Sequence, residues 1–450
     1  MRSQATERRA PRSRAQAWGS TLLIVLAASA AVLLLGSAPP WLLLVLLALF
    51  ALWLMATRTG RQTWSVAQVG ILTIPQRRGA SLVVIVGIAG VVGVLVAVLA
   101  MAEGFEAVLK QTGSDDTVIV MRGGAQTEIN SVLDHDSATL IAQLPQVRRD
   151  RAGVPIASPE LVVVASLPKR STGLDANVEI RGVGERVWSL HPDLRIVQGR
   201  RFRPGLRELI VGKGAHAQFA NTDLGSTLKL NGQIWTVVGN FQSDDAHDSE
   251  LWGDTDVVAS AYRRGSSRSS LVVQLNDAAQ LDAFKAQLAS DPRLTVDAKT
   301  TRAYYSDQSS RLSTLLHVLG YTVGSIMAIG AVFGALNTMY AAIATRTREI
   351  ATLRAVGFRR APVIVSVLLE TMLLAAAGGM LGAALAWLVF DHYTASTLGD
   401  NFSQVVFSFR VSASLVGTGL KWALIIGFVG GLFPALRAAR MPVTEGLREL

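Results

Sequence analysis

Several stretches of this chain stay apolar for too long to be the surface or core of a water-soluble domain. Ala17–Ala38, Gly79–Ala102, Leu319–Ala344 and Val363–Phe390 each exceed the roughly 18 residues of a spanning helix. Ser414–Phe433 comes close, interrupted once by Lys421, and Pro40–Ala56 sits at the lower limit with 17 residues. The reading is an α-helical membrane protein with six transmembrane helices. Composition agrees: 17% of the 450 residues are charged, against about a quarter in soluble domains. Ala17–Ala38 follows an arginine-rich start that resembles a secretory leader. It reads instead as a retained span, because the run is long, Pro39 would follow the cut, and a second apolar run follows at once.

Between the third and fourth spans lies Glu103–Arg311, polar enough to be a separate domain. It holds 24 basic and 26 acidic residues, a balance of −2, so the rest of the chain carries 19 basic and 7 acidic residues, a balance of +12 within a net charge of +10. The excess positive charge flanks the apolar runs, which is a topology signal and not a nucleic-acid footprint. Arg2, Arg8, Arg9, Arg12 and Arg14 precede the first span, and Arg58, Arg61, Arg77 and Arg78 fill Thr57–Arg78 without an acid. Thr345–Pro362 holds five arginines against Glu349, and the tail carries Arg437, Arg440 and Arg448. Both termini are therefore expected in the cytoplasm and 103–311 outside. Trp18, Trp41 and Trp64 fall near span ends, as interfacial anchors do.

Small residues four apart let helices approach closely in lipid. Gly330 and Gly334, Gly378 and Gly382, and Gly427 and Gly431 have that spacing, and Gly87, Gly90 and Gly93 stud the third span. A packed core of the last four spans is expected, with the first pair peripheral. Glu370 lies seven residues into the fifth span, roughly 10 Å deep at 1.5 Å per residue, and is expected to pair with the nearby arginine-rich loop.

The 103–311 region reads as mixed α+β. Thr117–Met121, Leu161–Ala165, Val178–Ile180, Leu209–Val211 and Val257–Ser260 are short β-type runs. Thr227–Leu230 and Gln233–Val238 flank Asn231-Gly232, a strong hairpin signal. Ser270–Leu275, a helix over Ala278–Ser290 and Leu294–Val296 read as a β-α-β subdomain near 270–297. Six acids crowd residues 244–256 around His247 without EF-hand spacing, so they read as a solvated acidic loop in which Leu251 and Trp252 are an anchor. No cysteine is present, and no phosphate-binding loop, His-Glu-x-x-His or Gly-x-Ser-x-Gly motif occurs. No catalytic, metal or cofactor residue is expected on this chain.

The most informative stretch is Thr345-Arg346-Thr347-Arg348-Glu349-Ile350-Ala351-Thr352-Leu353-Arg354-Ala355-Val356-Gly357-Phe358, a short amphipathic helix with a glycine stop that could lie on lipid or in a partner's groove. With Leu369-Glu370-Thr371, Gly378-Gly379-Met380-Leu381-Gly382, Gly431-Leu432-Phe433-Pro434-Ala435-Leu436-Arg437, Pro442 and Glu445, it resembles the MacB/FtsX-like permeases of ABC transporters. Gly199-Arg200-Arg201-Phe202 and Val237-Val238-Gly239 resemble that family's periplasmic core.

The resemblance covers roughly 79–450. It implies a periplasmic MacB-like core over 103–311 and an FtsX-like permease region over 312–436, with a cytoplasmic tail at 437–450. It implies that Arg346, Arg348, Glu349, Leu353, Arg354 and Gly357 form a coupling loop on a separate ATPase, which would hold ATP and magnesium, with Arg437, Arg440, Pro442 and Glu445 beside it. A second permease chain and a periplasmic partner are further expected partners. Motion in place of a substrate tunnel, or an FtsX-like signal to cell-wall enzymes, are the functions the resemblance implies. It does not account for the two helices over 17–56.

Overall fold

The computed structural model describes Gly36, residues 39–399, Asn401 and residues 403–446. They fall into two compact units. One comprises the described residues up to Leu99, Val318–Phe390 and those from Val411 onward; the other comprises Ala100–His317 and Asp391–Arg410.

The helical unit draws on α1 (Pro40–Ala56), α2 (Arg58–Leu72), α3 (Arg78–Gln111), α4 (Thr301–Ala344), α5 (Thr347–Ala355), α6 (Arg360–Phe390), α7 (Ala413–Arg440) and α8 (Val443–Gly446). Among the described residues four helices are long and apolar enough to cross a membrane: α3 with its leading turn, α4, α6 and α7. The sequence run Pro40–Ala56 is a helix of 17 residues. The expected span Ala17–Ala38, with Trp18, lies outside the described residues apart from Gly36. The arginine-bearing segment after α1 is itself helical. Thr57 caps α2 by accepting from the Gly60 amide at 2.9 Å, and α2 buries Thr63, Val66, Ala67 and Gly70 along one stripe.

Glycine sets how closely these helices meet. A Cβ on Gly378 would lie 2.8 Å from the Ile85 carbonyl, and one on Gly382 would strike the Ala89 carbonyl, so α6 and α3 touch backbone to backbone. Gly427 and Gly431 bring α7 onto Ala375 and Thr371 of α6 in the same way. Gly379, Gly419 and Gly430 do equal work outside the spacing that the sequence pattern singled out. Gly330 and Gly334 differ: nothing in the chain lies within 4 Å of their Cβ positions, and α4 leaves Ile326, Ile329 and Phe333 exposed beside them.

The α/β unit is built on a ten-stranded sheet of order β10-β1-β9-β2-β3-β8-β5-β7-β4, with β6 paired to β7. The strands are β1 (Thr117–Arg122), β2 (Ala157–Pro168), β3 (Asp175–Val183), β4 (Arg195–Gly199), β5 (Glu208–Gly212), β6 (Thr227–Leu230), β7 (Gln233–Gln242), β8 (Glu250–Asp254), β9 (Ser270–Gln274) and β10 (Val296–Thr300). Asn231 and Gly232 both take positive φ, 45° and 79°, as a two-residue hairpin turn requires. The β9–helix–β10 unit forms with β1 inserted between its strands, and packs its own core of Val118, Val273, Phe284 and Leu288. The other lobe buries Trp235, Phe219, Ile180 and Leu251.

Two expectations are corrected here. Val257–Ser260 is not a strand but lies in a helix, Thr255–Ala261. Asp254 accepts from the Asp256 and Val257 amides and starts that helix, which outweighs the β preference of two valines. The last strand begins at Val296 and runs to Thr300, two residues later than the pattern placed it.

The Asp391–Arg410 segment forms a hairpin of β11 (Thr394–Leu398) and β12 (Gln404–Ser408). It belongs to the α/β unit. Phe407 meets Phe105 edge-on at 5.7 Å, and the Val406 amide donates to Ser249 Oγ at 2.8 Å. Its signal in the sequence was weak, a β-prone Val405-Val406-Phe407 run after Gly399 with no alternation on either side.

Candidate functional site

The expected coupling loop is helix α5, capped at its C-terminal end by Gly357 at φ 108°, with the Phe358 amide donating to the Leu353 carbonyl. Thr347, Ile350 and Ala351 are buried, so α5 has an inner face. Two of its arginines are used inside the unit. Arg346 Nη1 lies 3.1 Å from Glu370 Oε2, and its Nε lies 3.0 Å from Glu349. Arg77, just before α3, reaches the other oxygen of Glu370 at 2.9 Å. A Cβ on Gly70 of α2 would approach Glu370 Oε2 to 3.2 Å. Glu370 is thus the centre of an ion-pair node that ties the start of α3, α5 and α6 together, with Gly70 of α2 close beside it.

Arg354 donates to the carbonyls of Ala439 and Met441, at 3.1 and 2.5 Å, and so caps the C-terminal end of α7, where cations are favoured. Arg437 lies over Tyr340 at 5.5 Å from the ring centroid. Arg440 and Pro442 are exposed, and Glu445 lies in α8, which packs beside α5. Exposed on the loop are Arg348, Glu349, Thr352, Ala355, Val356, Gly357, Arg359 and Arg360; Arg348, Thr352 and Ala355 lie three to four residues apart on one side of α5. Val356 is 76% exposed at the end of the helix. Leu353 lines an open cavity of about 450 Å³ with Val66 and Val69 of α2 and Val363 and Val367 of α6, and Arg348 and Thr352 border the same cavity from its exposed side.

A second constellation lies wholly inside the α/β unit. Arg181 of β3 is buried, and four glutamates converge on it: Glu128 at 2.9 and 3.0 Å, Glu160 at 2.9 Å, Glu179 at 2.9 Å and Glu250 at 2.8 and 3.0 Å. Beside them His247 binds Asp245 through Nδ1 at 3.0 Å and Tyr305 through Nε2 at 3.1 Å, and the His191 ring sits 4.8 Å from it. The 244–256 region is a solvated acidic loop only at Asp244 and Asp256, which are exposed. Asp245 and Glu250 turn inward because His247 and Arg181 offer positive partners there, and Leu251 and Trp252 are buried in the hydrophobic cores as the expected anchor. No metal-ligating group of three or more His, Asp or Glu occurs among the described residues.

The electrostatics follow from burial. It pushes Glu160 up to about 7 and Glu179 up to about 8, the latter also by the neighbouring Glu250. Burial works against the charged form of His247 too, but Asp245 and Glu250 hold it up at about 9, while burial and the His247 charge push His191 down to about 3. Sequence reasoning could not find this cluster: residues 128, 160, 179, 181 and 250 share no spacing, and only the sheet brings them together.

The two family-specific glycine motifs also meet. Gly199, at φ 78°, closes on Gly239, and the Arg200 amide donates to the Val238 carbonyl at 3.0 Å. Arg200 then binds Glu208 through two bonds of 2.6 Å, and Arg201 stacks on Trp188.

A set of apolar helices carrying an arginine-rich helix, together with a mixed α/β unit, is the architecture of a membrane permease with a large extramembrane domain. The family model for a MacB-like periplasmic core domain matches residues 81–291, and that for an FtsX-like permease C-terminal region matches 321–443. The chain belongs to the MacB/FtsX-like family of ABC transporter permeases. Among relatives, the macrolide export ATP-binding/permease protein MacB of Bdellovibrio bacteriovorus is 25% identical over 400 residues, covering 83% of this chain and 59% of that protein. The MacB protein of Escherichia coli is 25% identical over 372 residues, covering 79% of this chain and 56% of that protein. This chain thus spans less than two thirds of the length of either relative. The periplasmic region of MacB from Actinobacillus actinomycetemcomitans aligns with 42% of this chain and 90% of its own, at a TM-score of 0.33 and 16% identity.

Proposed function

We propose that this chain is the permease subunit of an ABC complex in the inner membrane, with both termini in the cytoplasm and the α/β unit in the periplasm. ATP hydrolysis by a separate partner ATPase is turned into movement of the periplasmic unit, for export or extraction of a substrate. The observation that carries this reading is α5. It is braced from within by Arg346 and Arg354, and it leaves Arg348, Val356 and Arg359 outward for a groove on another protein. The charges along the loop thus divide by role: Arg346 and Arg354 hold the helix, and Arg348 and Arg359 address the ATPase. Motion passes along α3 and α4, each of which has residues in both units. A second permease chain covers the exposed Gly330–Gly334 face of α4.

Charge reversal tests it. In membranes holding the intact chain and its ATPase, Arg348→Glu with Arg359→Glu is expected to lower ATPase co-purification at least tenfold while the permease stays folded. Unchanged co-purification, or no ATPase bound to the unaltered chain, overturns the reading.

A further inference from the structure

The cavity between α2, α5 and α6 has the form of a ligand site. Its volume of about 450 Å³ falls within the roughly 300–1,000 Å³ of small-molecule pockets. The lining divides by depth. Val66, Ile350, Val363 and Val367 are buried and form an apolar floor, which Leu353 and the half-exposed Val69 continue to the mouth. Arg348, Glu349 and Thr352 stand exposed at the edge. A small polar solute would leave that floor uncovered, and a hydrocarbon would leave the charged edge unused. The lining suits a molecule with an apolar body and a charged head.

The edge fixes the sign of that charge. Glu349 is held by Arg346 Nε at 3.0 Å, and Arg346 Nη1 is held by Glu370 at 3.1 Å. Arg348 has no acidic partner among the described residues, so a guanidinium is left at the mouth for an anion. Guanidinium and phosphate form strong, often bidentate pairs.

Depth fixes the source. Val363 and Val367 belong to the first two turns of α6, within roughly 10 Å of its start at 1.5 Å per residue. Since α6 is long and apolar enough to span a membrane, the cavity opens where headgroups give way to acyl chains. The neighbouring α2 fits that level. Its inner stripe is buried, while Arg58, Arg61 and Gln68 are exposed together with Trp64 and Leu72, the mixture of a helix lying in an interface. Thr57–Arg78 brings four arginines and no acid to this side, and basic surfaces beside spanning helices attract anionic headgroups.

We propose that this cavity binds an anionic phospholipid, its phosphate on Arg348 and one acyl chain along the valine floor between α2 and α5. A zwitterionic lipid fits less well, because its cationic group brings a second positive charge to Arg348. A lipid so seated fills the gap between α5 and α2, and the charge of the membrane then bears on how firmly α5 is held. The site rests on the cavity and its charges and does not need the ATPase reading. Because Arg348 also faces the partner side, the test uses the full-length chain without an ATPase.

Nanodiscs holding equal parts of phosphatidylglycerol and phosphatidylcholine with the same acyl chains supply the lipids. Native mass spectrometry of the chain released from them is expected to show phosphatidylglycerol retained over phosphatidylcholine by roughly fivefold, the contribution of one arginine at an anionic surface. Arg348→Gln should bring the two lipids near equality. Val69→Trp, which fills the mouth from a half-exposed position, should lower retention of both. An unchanged melting temperature checks that each variant folds. Equal retention of the two lipids by the unaltered chain overturns the proposal, as does a preference that both variants keep, since the lipid would then be held elsewhere. Full displacement by glycerol 3-phosphate overturns it too, because the headgroup alone would then be the ligand. So does a dimer that carries no lipid and comes apart in Val69→Trp, because a second copy of the chain would then be the occupant.

Discussion

Glu370 shows how one side chain can be half legible. Its depth in an apolar run and the arginines of the next loop pointed to a pair, and Arg346 supplies it. Arg77 is a second partner 293 residues away in sequence, and no local pattern could have named it. Breaking a buried pair leaves charges without compensation, so Glu370→Gln is expected to cost about 3 kcal/mol. Thermal unfolding of the purified chain in nanodiscs checks this; a change within 0.5 kcal/mol, roughly the scale of surface substitutions, would mean that Arg77 and Arg346 are solvated. Arg354 is a different case. Its charge looked suited to a partner, yet it caps α7, so Arg354→Ala should fray that helix end by about 1 kcal/mol and speed proteolysis near Met441. The same treatment of Arg348→Ala should leave cleavage unchanged.

At the level of elements, the periodic signals served well where burial is one-sided. The β6–β7 hairpin, β9 and the following helix stand close to where alternation and Asn231-Gly232 put them. They failed where a single hydrogen-bonding side chain decides the backbone, as Asp254 does before Val257, and where the buried partner is remote, as for the acidic 244–256 stretch. The glycine pairs were readable as close-packing signals, but their partners were not. Gly382→Leu should prevent α6 from meeting α3 and abolish a folded species on size-exclusion chromatography. Gly330→Leu meets open space in this chain, so it should fold and instead weaken association of two permease chains in a cross-linking assay. Folding failure of the second, or tolerance of the first, would contradict the packing described.

For the molecule as a whole, the buried carboxyls set a pH dependence of stability. Glu160 and Glu179 sit near 7 and 8 in the fold against an ordinary 4.5, so the folded chain binds more protons than the unfolded one across that interval. Stability from these groups is present in acid and is lost as pH rises from about 5 through 8. Melting of the α/β unit, followed by calorimetry on the full chain, is expected to fall over this range, and Glu160→Gln with Glu179→Gln to flatten the fall. A melting point that climbs steadily to pH 8 would show that the cluster is ionised throughout.

The hairpin has a consequence for grafting. It lies within the stretch matched to the permease region, 321–443, yet it folds into the unit whose strands lie mostly in the stretch matched to the periplasmic core, 81–291. Exchanging residues 103–311 for those of a relative would bring in a foreign β3 and keep the native turn. Whatever side chain then stood at position 179 would meet an Asn401 and Ser403 that in this chain bind Glu179. A working chimera therefore needs two crossovers, one for each segment, and the shuffling unit of this protein is discontinuous in sequence.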